Sequence, residues 1–151
     1  MERRIVDTTY ANQDDSSGNY LQLLEEAERD QKCPFCNLPG DNKLVATTHW
    51  WTMIECRWPY ENAEVHLILI PNRHIEDIMD VGQNDWGEVN SLIFMAMKIY
   101  PTLKIGGGLA VRFGTNSGVT IKHLHFHLIA PVTDEQTGRV IPGKHVNFPI
   151  G

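Results

Sequence analysis

Apolar positions recur along this chain with two different periods, and these divide it into elements. Between residues 85 and 100, Trp86, Val89, Ile93, Met97 and Tyr100 fall three or four apart, the spacing of one helix face. Asp85 and Glu88 have capping-box spacing at its start, with Asp replacing the usual Ser or Thr. Pro101 and then Gly106-Gly107-Gly108 close it. Leu92, Phe94 and Met95 fall partly outside the stripe. Such a helix is either deeply buried or packed on a partner, and the second reading predicts a homodimer. A shorter helix is predicted over residues 20–29, with Asn19 as its cap.

Elsewhere the pattern is that of strands. Residues 47–56, 66–70, 109–113 and 123–130 are short apolar, β-branched or alternating runs, and each reads as one strand. Residues 75–79 read as a helical turn; residues 58–62, 114–118 and 133–143 read as connections. Strands grouped around one long helix predict an α+β fold with an antiparallel sheet and a shorter N-terminal helix. Residues 1–18 are polar and read as a flexible segment, leaving residues 19–151 as one domain.

The last predicted strand carries the strongest chemical signal. His123, His125 and His127 alternate with Leu124, Phe126 and Leu128. In a strand, positions i, i+2 and i+4 share a face, so the imidazoles line one side and the apolar residues the other. Buried polar rings need partners, and imidazole suits nucleophilic attack, proton transfer and metal ligation near neutral pH. Cys33-Pro34-Phe35-Cys36 offers two thiolates at a spacing that can hold one tetrahedral ion. No second Cys-x-x-Cys accompanies it, so further ligands would come from distant positions; two buried reduced thiols are the other reading. Backbone amides around Gly114 and Gly118 can form an anion-binding concavity. Cys56 reads as a small core hydrophobe.

Composition narrows the function classes. A hydrophobic content of 42% with 21% charged residues is ordinary for a globular protein. A formal charge of −6 argues against binding a nucleic acid polymer through a basic surface, but leaves room for a small phosphorylated ligand. The longest apolar runs fall far short of the ~20 residues a membrane span needs. No secretory signal is visible behind Met1-Glu2-Arg3-Arg4. Three cysteines, two in one Cys-x-x-Cys, favour a reducing, cytoplasmic setting over a disulfide framework.

The segment His123-Leu124-His125-Phe126-His127-Leu128-Ile129 closely resembles the signature of the histidine triad (HIT) superfamily. His66-Leu67-Ile68-Leu69-Ile70-Pro71-Asn72-Arg73-His74 looks like that superfamily's preceding strand and turn, and Cys33–Cys36 like the Cys-x-x-Cys of its zinc-containing members. The resemblance covers residues 33–131, with a faint echo in His145-Val146-Asn147-Phe148-Pro149-Ile150-Gly151. It implies a HIT-like sheet and a structural zinc held by Cys33, Cys36, His74 and His123. It implies His125 as a nucleophile toward an α-phosphate, with His127, His123 and His66 around it, and a homodimer. Similarity of Trp58-Pro59-Tyr60 to a segment of dinucleoside polyphosphate phosphorylase-like members adds an aromatic wall from Trp50, Trp51 and Trp58.

One departure stands out. Many members carry Asn-x-Gly eleven residues before the first triad histidine, then Gln and Ser or Thr. Here Asn116-Ser117-Gly118 lies seven before His123, Val119 takes the Gln slot, and Thr120 replaces the Ser. Asn116, Gly118, Thr120 and His127 are therefore the expected phosphate contacts. The implied activity is a nucleotide hydrolase or transferase working through a nucleotidyl-histidine. A phosphorylase or nucleotidyltransferase, and a nucleotide-binding protein without turnover, are the alternatives. A cupin-like metal enzyme would need further ligands on later strands, and only Glu135 and His145 follow His127, both in loop-like sequence.

Overall fold

A computed structural model describes residues 4–10 and 19–151. Five antiparallel strands, β1 (Leu44–Thr47), β2 (Trp51–Glu55), β3 (Ala63–Pro71), β4 (Gly108–Val111) and β5 (Phe126–Pro131), form one sheet in the order β1-β2-β3-β5-β4. Helix α1 spans Asn19–Asp30, α2 spans Gln83–Ile99, and α3 is the single turn Thr102–Ile105. This is the expected α+β architecture.

Strand alternation gives the sheet two different faces. On one, Met53, Leu67, Leu69, Phe126 and Leu128 meet Val89, Leu92 and Ala96 of α2 in the main core. On the other lie Ile54, Ile68 and Ile70, packed against Phe35 and Leu38 of the cysteine loop. A third cluster joins Leu24 and Ala27 of α1 to Val6 and Ile121. Leu92 belongs to the core rather than to a spare helical face, since it is fully buried.

Several boundaries differ from the expectation. Residues 47–56 form not one strand but the last residue of β1 and the whole of β2, joined by a turn at His49-Trp50. Glu88 holds that turn: its carboxylate accepts the Thr48 hydroxyl at 2.6 Å and the Trp50 amide at 2.7 Å. Glu88 is therefore not a capping partner of Asp85. The helix begins at Gln83, and the Asp85 carboxylate accepts the Gly82 amide at 2.8 Å. The same carboxylate accepts the Trp51 indole at 2.8 Å and Arg73 at 2.8 and 2.7 Å.

The regular part of β5 starts only at Phe126. Further back its partner strand reaches Pro71, which has no amide hydrogen to continue the ladder. The Pro71 carbonyl is taken instead by the His123 ring. Of the segment 1–18, Val6 is buried and bridges Ile121, and the Glu28 carboxylate accepts the Ile5 and Val6 amides. The contact with the body thus begins before residue 19. Residues 1–3 and 11–18 lie outside the described residues.

Candidate active site and metal centre

The face of the sheet opposite α2 opens into a cavity of about 630 Å³. His125 and His127 line it from β5 and the segment before it, and His66 lines it from β3. The three rings are buried, and their hydrogen bonds fix which nitrogen carries hydrogen. His125 Nδ1 lies 2.7 Å from the His123 carbonyl, an acceptor only, so Nδ1–H donates and Nε2 keeps its lone pair. His66 Nδ1 accepts the Tyr60 amide at 3.1 Å. Its hydrogen is then on Nε2, which donates to His127 Nδ1 at 2.9 Å. His127 in turn carries its hydrogen on Nε2, a buried atom with no protein partner among the described residues. A neutral ring presenting a lone pair therefore stands beside one presenting an N–H, their centroids 5.0 Å apart.

Burial keeps these rings neutral, because it penalises the imidazolium. It pushes His125 down to about 4, opposed by the His123 carbonyl and aided by the Arg112 charge. It pushes His66 down to about 4 as well, with His125 and Arg112 adding to the shift. His127 is driven furthest below the ordinary imidazole range, by burial first and then by His125, His66 and Arg112.

His123 looks the other way. Its Nε2–H donates to the Pro71 carbonyl at 2.9 Å, and its Nδ1 lies 3.4 Å from Cys33 Sγ and 3.5 Å from Cys36 Sγ. His74 Nδ1 is 3.3 Å from Cys36 Sγ, and its Nε2 is 3.0 Å from the Glu76 carboxylate. All four ligand atoms lie within 4.8 Å of one another. A tetrahedral ion with ordinary Zn–S and Zn–N bonds places S and N about 3.5 Å apart, which these separations match. Each histidine already uses its outer nitrogen on an acceptor, as metal-bound histidines do. Cys33, Cys36, His74 and His123 thus form a group that can hold a metal. Four protein ligands fill a tetrahedral shell, so its work would be structural. His123 serves that group and supplies His125 with its carbonyl; its ring does not face the cavity.

The phosphate contacts read from the loop are only partly assembled. Gly118 and Thr120 line the cavity, and the Thr120 hydroxyl is 2.6 Å from the Tyr20 hydroxyl. Asn116 is exposed and does not line it. Of the three tryptophans, Trp58 lines the cavity, Trp51 is buried in the core beneath α2, and Trp50 is exposed on the β1–β2 turn.

Two features escaped the sequence reading. Arg112 lines the cavity and stands eleven residues before His123, at the spacing where the resemblance leads one to expect an asparagine. The C-terminal segment folds over the chain's own site: the Phe148 ring is 5.1 Å from His127, the Pro149 carbonyl accepts Arg112 Nε at 2.6 Å, and the Gly151 amide donates to Ser117.

A sheet with this strand order, a His-x-His-x-His strand and a Cys-x-x-Cys loop closed by two distant histidines define a histidine triad protein. Within that class the chain belongs to the family described as "scavenger mRNA decapping enzyme C-term binding", which matches residues 32–141. An uncharacterized HIT-like protein of Chlamydia trachomatis is 30% identical over 73 residues, which is 46% of this chain and 65% of the relative's length. The match thus spans less than two thirds of that relative. Among solved structures, a zinc-bound histidine triad family protein from Mycobacterium smegmatis superposes with a TM-score of 0.55 at 17% identity, covering 76% of this chain and 86% of its own. A Plasmodium falciparum diadenosine triphosphate hydrolase, solved with cyclomarin A, gives 0.50 at 18% identity, covering 66% and 74%. At these identities the two structures share the fold.

Proposed function

We propose that this protein is a nucleotide hydrolase or transferase that attacks an α-phosphate through a nucleotidyl-histidine intermediate. The observation that carries this reading is the fixed tautomer of His125. Its Nδ1–H is spent on the His123 carbonyl, so Nε2 offers a lone pair in a cavity large enough for a nucleotide. In the first step Nε2 bonds to the α-phosphorus as the bond from phosphorus to the leaving group breaks. His127 Nε2–H donates a hydrogen bond to the departing atom or to the phosphoryl oxygens. In the second step water attacks phosphorus, releases a proton to solvent, and frees His125; an acceptor phosphate in place of water would make the same enzyme a phosphorylase.

The metal group would hold one zinc ion that pins the cysteine loop, and with it Phe35, against the triad segment; Phe35 packs edge-on to His125 at 4.9 Å. The described residues contain no helix long and apolar enough to cross a membrane, and the small-molecule substrate, cytoplasmic setting and homodimer complete this reading.

Intact-mass measurement after rapid quenching tests it. Mixed with dinucleoside polyphosphates and nucleoside phosphoramidates of adenosine and guanosine, the wild-type chain should gain one nucleoside monophosphate. His125→Ala should gain none and should lose at least ~10³ in turnover, about 4 kcal/mol of barrier, while still binding nucleotide. Because His125 sits at about 4, log kcat/KM should stay level from neutral pH to about 5 and fall only near 4. Near-normal turnover in His125→Ala overturns the proposal.

A further inference from the structure

Arg112 brings a cation, held by a hydroxyl and a carbonyl, into the cavity lined by the neutral rings of His66, His125 and His127. Strand β4 pairs with β5 so that Ala110 faces His127 and Val111 faces Phe126. Arg112 follows directly on Val111, the last residue of β4, and lines the cavity together with His125 and His127. Its Nη2 donates to the Tyr60 hydroxyl at 2.5 Å, its Nε donates to the Pro149 carbonyl at 2.6 Å, and its plane rests on Phe148 with Cζ 4.2 Å from the ring centroid. The same two rings flank His127: Tyr60 stacks on it at 5.6 Å and Phe148 meets it edge-on at 5.1 Å. Arg112 and the His127 ring are therefore held by one aromatic frame. Among the described residues no carboxylate pairs with Arg112, and Nη1 has no protein acceptor. The other cavity arginine, Arg57, is paired with Asp41 at 2.9 Å; Glu61 lies exposed at the rim. A half-buried guanidinium held by neutral acceptors beside neutral histidines is built for an anion that arrives with the ligand.

We infer that Arg112 sets the leaving-group preference of this site: it receives a departing phosphate or polyphosphate, so nucleotides joined through a phosphoanhydride are favoured over nucleoside phosphoramidates. This rests on the nucleotidyl-histidine reading above. The electron count separates the two substrates. When His125 Nε2 bonds to the α-phosphorus of an anhydride, the P–O electron pair leaves with the oxygen, and the leaving phosphate departs as an anion without needing a proton. A fixed positive charge beside that oxygen lowers the barrier. In a phosphoramidate the P–N pair leaves with nitrogen, and the amine departs neutral only by gaining a proton. Arg112 cannot give one, because its guanidinium is not an acid in this range, and its charge disfavours an imidazolium at the neighbouring ring. One residue thus pushes the two substrate classes in opposite directions.

The test compares kcat/KM for diadenosine triphosphate and adenosine 5′-phosphoramidate, which present the same adenosyl α-phosphate, and the corresponding guanosine pair. Arg112→Met should lower the anhydride value by ~10²- to 10³-fold, with the phosphoramidate value unchanged or higher; Arg112→Lys should restore part of the loss. Tyr60→Phe, which keeps the ring and removes one anchor of the guanidinium, should shift the ratio the same way by a smaller factor, and it carries the test if Arg112→Met does not fold. Equal losses on both substrates, or an unmoved ratio in both variants, overturn the inference while adduct formation still stands. Absence of an adduct from the wild-type chain with every substrate overturns the nucleotidyl-histidine reading, and the inference with it.

Discussion

The hydrogen between His66 and His127 belongs to His66. The rings approach at 2.9 Å, and the Tyr60 amide already occupies the far nitrogen of His66, which leaves Nε2 as the donor. His127 must then hold its own hydrogen on Nε2, the buried nitrogen with no protein partner. The pair is a tautomer lock: a backbone amide, two rings apart, decides what the cavity sees.

Breaking that lock should weaken the chemistry more than the binding. In His66→Ala, His127 can hold its hydrogen on either nitrogen, and only one form serves the leaving group. We expect kcat to fall by about 10- to 100-fold, the scale of lost outer partners that orient a histidine, with KM within about threefold. His66→Gln, whose amide can again donate to Nδ1, should recover part of the loss. Stopped-flow turnover of both variants decides it, and an unchanged kcat in His66→Ala would show that His127 is oriented by something else.

The metal group makes a separate prediction. Burial pushes the Cys36 thiol up to about 11, with Cys33 beside it adding to the shift, so without an ion this thiol is neutral at physiological pH. A bound zinc would deprotonate it. Elemental analysis of protein purified without chelator should find one zinc per chain. Cys33→Ser should lower Tm by more than 5 °C, since a closed four-ligand site contributes to folding, while the residual folded enzyme keeps its intrinsic rate. Metal-free wild-type protein with an unaltered Tm after chelation would refute the assignment.

Asp85 is the hub of the opposite face. Its carboxylate takes hydrogen bonds from Arg73, Trp51 and Gly82 and is itself buried. Arg73 is the largest influence holding it well below the usual carboxylate range, with Trp51 and Gly82 helping and burial opposing. A depressed folded pKa stabilises the fold above the unfolded value of about 3.9, and that contribution fades as pH falls through the folded value. Asp85→Ala should therefore cost about 1–3 kcal/mol at pH 7, since it leaves the buried Trp51 indole N–H without its acceptor, while Arg73, half exposed and still bonded to the Asp80 carbonyl, adds little. By urea denaturation the gap between wild type and Asp85→Asn should narrow below about pH 4; a gap independent of pH would remove the charge from the explanation.

Legibility followed the distance over which each feature is encoded. The triad, the long helix and the four residues of the metal group come from spacing within one element, or from the resemblance built on it. The β1–β2 turn was missed because Thr48-His49-Trp50 contains no Gly, Pro, Asn or Asp to mark it; Glu88, forty residues away, holds it. Arg112 was missed because nothing in its local sequence distinguishes it from a surface arginine. Its place depends on the β4–β5 register and on a tail almost forty residues later. Asn116 was favoured because Asn-Ser-Gly looks like the expected loop motif, yet the shortened loop carries it out to solvent.

The proposed homodimer would use other residues of α2 than the sequence suggests. Leu92 is in the core and cannot serve as a contact. Trp86, Phe94, Met95 and Ile99 of α2 remain exposed, as does Leu109 on the edge strand β4. Met95 and Ile99 lie one turn apart with Phe94 next to Met95, an apolar surface costly to leave in water, and a two-fold axis would cover it with the same surface of a second copy. Light scattering at micromolar concentration should give twice the 17.2 kDa chain mass. Phe94→Glu combined with Met95→Glu should return it to the single-chain value with the fold intact, because neither side chain belongs to the core cluster. A wild-type mass of one chain would leave this helix face without a partner of its own kind. A dimer that survives both glutamates would instead place the contact on the β4 edge, where Leu109 and the unpaired side of the strand lie open.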